Sequence, residues 1–188
     1  MSFHTPDPDL LSPGDELKKA REFLWQVEEL YPKVTVLESN HGSLWYRKAM
    51  VAGIPREAIR SYEEILFPNW KTKWAWTFEH IETLPDKQPC YFHHGRSANS
   101  MTYTLSRGMS AVQGHFHEKY NIQYWGTNER LNFGMSVGCL VDDNSLAMAY
   151  NNSNLKRPII GLGMIIDSQP KLIPLVMKTN GRWNGKLT

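Results

Sequence analysis

Three short apolar runs in this chain end in the same kind of step, and that repetition constrains the fold more than any other feature. Val34-Thr35-Val36-Leu37 runs into Glu38-Ser39-Asn40-His41-Gly42, and Pro89-Cys90-Tyr91-Phe92 runs into His93-His94-Gly95. Met109-Ser110-Ala111-Val112 runs into Gln113-Gly114-His115-Phe116-His117. Short apolar runs bounded by polar residues and glycines read as buried strands. Ligand sites in open α/β sheets collect at the carboxyl ends of strands. Glycine there lets the backbone approach a ligand without a Cβ clash. Neutral imidazole is the commonest protein ligand for zinc-, iron- and manganese-type ions. Taken alone, each step also describes a turn asparagine or hydrogen-bonded loop histidines. Three such steps in a chain with seven histidines argue for convergence on one site.

The segments between these runs supply helices. Ser12-Pro13-Gly14-Asp15 opens one: Ser12 can cap, Pro13 suits the first helical position, and Asp15 and Glu16 complement the helix dipole. Leu17, Ala20, Leu24, Val27 and Tyr31 recur at helical spacing and predict one buried face, and Pro32 ends the helix. A helix stepping into the strand at Val34 is half of a βαβ unit, so the fold class is mixed α/β. Ser43 to Ala52 and Pro55 to Leu66 read as two helices broken at Gly53-Ile54-Pro55. Trp70 to Ile81 reads as a strand with Trp74, Trp76 and Phe78 on one aromatic core face. Asn99 to Arg107 reads as a helix stopped by Gly108.

Beyond His117 the chain reads as β. Tyr120–Trp125 and Leu131–Val137 form one expected hairpin around residues 126–130. Pro158–Ile166 and Lys171–Met177 form another around Asp167-Ser168-Gln169-Pro170. Residues 1–11 read as a proline-rich lead-in loop, and residues 179–188 as a loosely held tail. At 188 residues the whole is expected to be a single domain, 1–188.

Composition narrows the function classes. A net charge of +2 without a dense Lys/Arg block gives no electrostatic argument for nucleic-acid or membrane binding. No apolar run is long enough to span a bilayer and no signal peptide is evident, so no membrane partner and a cytoplasmic location are expected. Cys90 and Cys139 lie in apolar runs and read as buried free thiols. The chain has no Walker-type phosphate loop, no nucleophile elbow, no Cys-x-x-Cys and no His-Glu-x-x-His.

An Asn-His after one strand, a His-Gly after a later strand and a Gly-His-x-His after a third, in that order, resembles the calcineurin-like metallophosphoesterases. The resemblance runs from about Ser12 to Met177, and Gly-His-x-His is its most specific element. It implies the family's α/β/β/α sandwich, with the β-rich end around Val137-Gly138-Cys139-Leu140 similar to the second sheet. It implies that Asn40, His94 and His115 ligate one divalent ion and His117 a second. His93 is the register-shifted alternative to His94. It implies that His41 is catalytic, stabilising charge on the phosphoryl group or protonating the leaving oxygen. The cofactor would be manganese, zinc or iron, one or two ions per site. The activity would be metal-dependent hydrolysis of a phosphodiester or phosphomonoester, with a phosphate-ester substrate that includes nucleotides and nucleic acid in its range.

The departures from the pattern are specific. No Asp-x-His or Gly-Asp-x-x-Asp precedes Asn40, so the fold is expected to be N-terminally incomplete. Ser39 stands where the family has glycine, and Gly42 where it has an acidic residue. His4, Asp7 and Asp9 are the residues that could substitute as ligands. Without the family's first strands, Val34–Leu37 is expected to need a partner: a second copy of the chain in a homo-oligomer, a complementing N-terminal fragment, or a partner protein. The alternative function is a non-catalytic binding or regulatory module on a degenerate phosphoesterase scaffold.

Overall fold

A computed structural model describes residues 12–68, 72–141 and 157–187. The lead-in loop 1–11, with His4, Asp7 and Asp9, and the start of the expected aromatic strand at Trp70 lie outside the described residues. Contacts divide the chain between Phe78 and Glu79 into two compact units, each taken by itself below. The fold is mixed α/β, with helices and several sheets. Among the described residues no helix is long and apolar enough to cross a membrane.

In the first unit, α1 spans Pro13–Leu30. Ser12 Oγ accepts the Asp15 N–H at 3.2 Å, as an N-cap side chain should. Leu17, Ala20, Leu24 and Val27 pack against a core of Leu66, Phe67 and Trp74. Tyr31, expected on that face, lies one residue past the helix and is exposed. Its carbonyl instead accepts the Trp74 indole N–H at 2.9 Å. β1 (Thr35–Leu37) pairs in parallel with β2 (Ala75–Thr77), and this is the strand partner that Val34–Leu37 takes along one edge.

Between the two strands run α2 (Leu44–Val51), a single 3₁₀ turn over Arg56–Ala58, and α3 (Tyr62–Leu66). The helix expected over Pro55–Leu66 is therefore split. Ser61 sits in extended backbone and forms a reciprocal capping box with Glu64, which starts a new helix there.

The second unit is built on a five-stranded sheet in the order β3-β4-β5-β7-β6. β3 is Glu79–Thr83, β4 Pro89–His93, β5 Ser110–Gln113, β6 Tyr120–Gly126 and β7 Leu131–Val137. β4, β5 and β7 run parallel at the centre, with β3 and β6 antiparallel at the edges. The crossover from β4 to β5 carries α4 (Met101–Arg107), which stops at Gly108 with φ 65°. A second, antiparallel sheet holds β8 (Gly161–Ile166), β9 (Gln169–Met177) and β10 (Trp183–Leu187). Asp167 and Ser168 both have positive φ, the signature of a tight hairpin turn that matches strand twist. Leu84, Cys90, Phe133 and Met135 form the core, joined by Ile165 and Leu172 from the second sheet. Cys90 is fully buried, and burial pushes its thiol up to about 12, while Cys139 is only half-buried.

Two expectations are corrected here. The aromatic strand is two strands in different sheets, and Phe78 between them is exposed while Trp74 is buried. The tail from Thr179 is not loose throughout: Trp183–Leu187 pairs with β9. The Lys178 N–H donates to the Arg182 carbonyl at 2.7 Å, so its polar-glycine steps make a turn.

Helix α4 sits close on β7. Ser100 Oγ donates to the Gly134 carbonyl at 3.1 Å, and a Cβ at Gly134 would lie 2.8 Å from the Ser100 carbonyl oxygen. Gly134→Ala should therefore lower the unfolding free energy by about 1–3 kcal/mol in urea titration, the usual cost of overpacking. Gly126→Ala, whose added Cβ meets nothing closer than 3.9 Å, should change it by no more than about 0.5 kcal/mol.

Candidate functional site

β4 and β5 are parallel neighbours, with His93 opposite Gln113 at the last rung of the ladder. The next residues on each strand are His94 and Gly114. The Gly114 N–H donates to the His94 carbonyl at 3.0 Å, which extends the pairing one step beyond the strands. Gly95 lies directly against this turn, where a Cβ would stand 2.7 Å from Gly114 O and 2.8 Å from His115 Cβ. Its φ of 127° is also one that side-chain-bearing residues rarely adopt. The glycine after His94 thus allows the two loops to touch.

The contact brings two imidazoles together. His94 Nε2 lies 3.1 Å from His115 Nδ1, with the ring planes at 65°. His115 itself adopts φ 69°. A left-handed backbone costs a residue with a side chain about 1–2 kcal/mol, and such strain collects at functional sites. Phe116 packs edge-on against the His115 ring at 4.7 Å. The Phe116 N–H donates to the Gly114 carbonyl at 2.8 Å, which tightens the turn around His115.

His93 and His94 face opposite ways, as strand alternation requires. His93 is buried, stacked on Tyr91 at 5.0 Å and against Tyr103 of α4 at 4.3 Å. Neither of its ring nitrogens has a hydrogen-bond partner among the described residues. Between the two adjacent histidines, it is His94 whose ring meets His115. On the His93 side, Tyr91 donates its hydroxyl hydrogen to Glu79 at 2.6 Å, and Arg107 donates to Glu79 at 3.1 Å while lying over the Tyr91 ring. The Tyr91 hydroxyl, and then the Arg107 charge, hold the Glu79 carboxyl below its ordinary range.

His117 lies two residues past His115, half-buried, and its carbonyl accepts the Ile159 N–H at 2.9 Å. Asn40 and His41 belong to the first unit, in the turn from β1 into α2. The Asn40 carbonyl accepts from Arg47 at 2.7 Å and from Ser43 Oγ at 3.2 Å. Ser39 and Gly42 are both used in this turn. Ser39 Oγ accepts the Gly42 N–H at 2.8 Å, and a Cβ at Gly42 would press on Ser39 Oγ at 3.3 Å and the Tyr62 ring at 3.4 Å.

The spacing of the two rings is compatible with a shared metal ion. Two nitrogens bound to one zinc-type ion at about 2.0–2.1 Å, with bond angles of about 90–110°, stand about 2.8–3.4 Å apart. The His94–His115 spacing of 3.1 Å falls in that interval. The same spacing lets one ring donate its N–H to the other, so loading an ion there requires that proton to leave or to move to the far nitrogen of its ring. Among the described residues no group of three or more His, Cys, Asp or Glu side chains is arranged to hold a metal ion. An ion held there would take two nitrogens from this pair and would need further donors.

Gln113 is a residue the motif reading passed over. It is 1% exposed, and its carboxamide Nε2 donates to the Ser97 carbonyl at 2.9 Å and to Ser136 Oγ at 3.2 Å. The available signal was a glutamine closing an otherwise apolar run. Compared with known proteins, the chain matches no family model and no curated protein.

Burial, followed by the charges of Arg96 and Arg107, pulls the His93 pKa from 6.5 to about 4. An unfolded histidine titrates near 6.5, so between that pH and about 4 the unfolded chain binds a proton that the folded chain refuses. The stability tied to neutral His93 is thus complete above pH 6.5 and is lost as the pH falls toward about 4. The Glu79 contribution starts only below its ordinary 4.5, outside most of that window. The urea midpoint should fall across this interval in the wild type and fall less steeply in His93→Phe. Equal slopes in the two proteins would contradict the assignment.

Proposed function

We propose that the chain is a metal-dependent phosphoesterase of calcineurin-like type, its fold a metallophosphoesterase-like sandwich, with His94 and His115 as ligands of one divalent ion. The observation that carries this reading is the 3.1 Å approach of His94 Nε2 and His115 Nδ1 at the ends of adjacent parallel strands, one of the two residues in strained backbone. The order of Asn40-His41, His94-Gly95 and Gly114-His115-Phe116-His117 along the chain supports it. A divalent ion of the manganese, zinc or iron kind supplies water activation and neutralisation of phosphoryl charge when bound. His94 and His115 hold and orient through neutral imidazole nitrogens. The resemblance adds Asn40 and His117 as further ligands, and His41 as the group that would stabilise phosphoryl charge or protonate the leaving oxygen. The substrate class is a phosphate ester, a nucleotide or nucleic-acid diester among the candidates.

Hydrolysis of bis-p-nitrophenyl phosphate should require added manganese or zinc and stop on chelation. His41→Ala should lower kcat on the order of a hundredfold or more while leaving zinc binding, followed by calorimetry, intact. His94→Ala and His115→Ala should each abolish stoichiometric zinc binding. Chelator-insensitive hydrolysis would overturn the metal reading. Zinc binding without hydrolysis of any phosphate ester would make the chain a binding module instead.

A further inference from the structure

We infer that Gln113 is a positioning residue for the His94–His115 pair, acting through its bond to the Ser97 carbonyl; this rests on the metal-site reading above. Gln113 is the last residue of β5, directly before the Gly114-His115 turn. Its side chain reaches across to the loop that follows His94. Nε2 donates to Ser97 O at 2.9 Å, and the neighbouring Gly114 N–H donates to His94 O at 3.0 Å. The loop carrying His94 is therefore tied to the end of β5 at two points, one on each side of Gly95. With only the Gly114 bond, residues 94–97 could rotate about it, and the His94 ring would swing relative to His115. With both, the loop has one orientation.

The rest of the neighbourhood supports this role. Beyond Ser97 the loop enters α4, which is fastened to β7 by Ser100 Oγ on Gly134 O. Ser97 Oγ also meets Thr102 Oγ1 at 2.9 Å, which keeps the Ser97 carbonyl turned toward Gln113. The second Gln113 bond, the longer of the two, runs to Ser136 Oγ on β7 at 3.2 Å. Gln113 Oε1 is buried with no hydrogen-bond partner among the described residues. The unpaired oxygen carries a desolvation cost that the two bonds of the amide nitrogen must offset. The amide nitrogen is the part the structure uses. Partners that orient metal-binding histidines without touching the ion typically change affinity by about 10- to 100-fold when removed.

The test uses the full chain and cobalt(II) chloride. Gln113→Met keeps the side-chain length and removes the donor. With both proteins folded by circular dichroism, it should bind cobalt at least about tenfold more weakly than the wild type. Its cobalt visible bands should also change in position or intensity. A role confined to stability would lower the thermal midpoint and leave affinity and bands alone. Ser136→Ala, which spares the Ser97 bond, should bind cobalt within about twofold of the wild type. Wild-type affinity and bands in Gln113→Met overturn the inference, and an equal loss in Ser136→Ala overturns the route through Ser97.

If Gln113→Met does not fold, the wild type answers by NMR. The Gln113 carboxamide protons should exchange slowly and shift when zinc is added, and unprotected, unshifted protons overturn the inference. No cobalt binding by the wild type, with His94→Ala indistinguishable from it, overturns the metal reading and this inference together.

Discussion

A single backbone hydrogen bond, from the Gly114 N–H to the His94 carbonyl at 3.0 Å, is the constraint on which the candidate site depends. It continues the β4–β5 ladder past the last paired residues, where two loops would otherwise diverge. The approach is possible because residue 95 has no Cβ, and the opposing turn fits against it at Gly114 and His115. Once the loops are joined there, the left-handed φ of His115 directs its ring at His94. The site follows from sheet geometry, with only the last residues in unusual conformations.

The two faces of β4 do different work. Phe92 and Cys90 contribute to the core, while Tyr91 and His93 face α4 and the Arg107–Glu79 pair. That second face is a polar and aromatic network, open to solvent at Arg107 and Glu79, with a neutral, desolvated histidine on its inner side. A charge on His93 would be costly there, with Arg96 and Arg107 nearby. Adjacent histidines in the sequence are thus divided by strand alternation into a packing residue and a candidate ligand.

Much of this was legible in the residues themselves. Apolar run length and glycine punctuation located β4, β5 and the hairpins, and Pro13 with Ser12 marked the start of α1. The helix expected from Pro55 failed because Ser61 with Glu64 makes a better helix start than continuation from Pro55 allows. Period-two aromatics cannot reveal that a strand ends at Thr77 and another begins at Glu79, since both halves alternate alike. Which of His93 and His94 meets His115 follows from the β4–β5 register and cannot be read from the dipeptide. Gln113 was hidden because its importance lies in a bond to a carbonyl, and any residue type can supply a carbonyl. Asn40 and His41 are placed in a well-formed turn, and the role proposed for them rests on the order of motifs along the chain.

The central claim is that His94 Nε2 and His115 Nδ1 share one ion. Long-range nitrogen–proton NMR of the histidine rings, recorded while zinc is added to the full chain, tests it atom by atom. The account predicts that these two nitrogens move together to metal-bound shifts and saturate at the same zinc ratio. The His93 ring should keep the signature of a neutral, buried imidazole throughout. Unmoved resonances of His94 Nε2 and His115 Nδ1 at saturating zinc would contradict it.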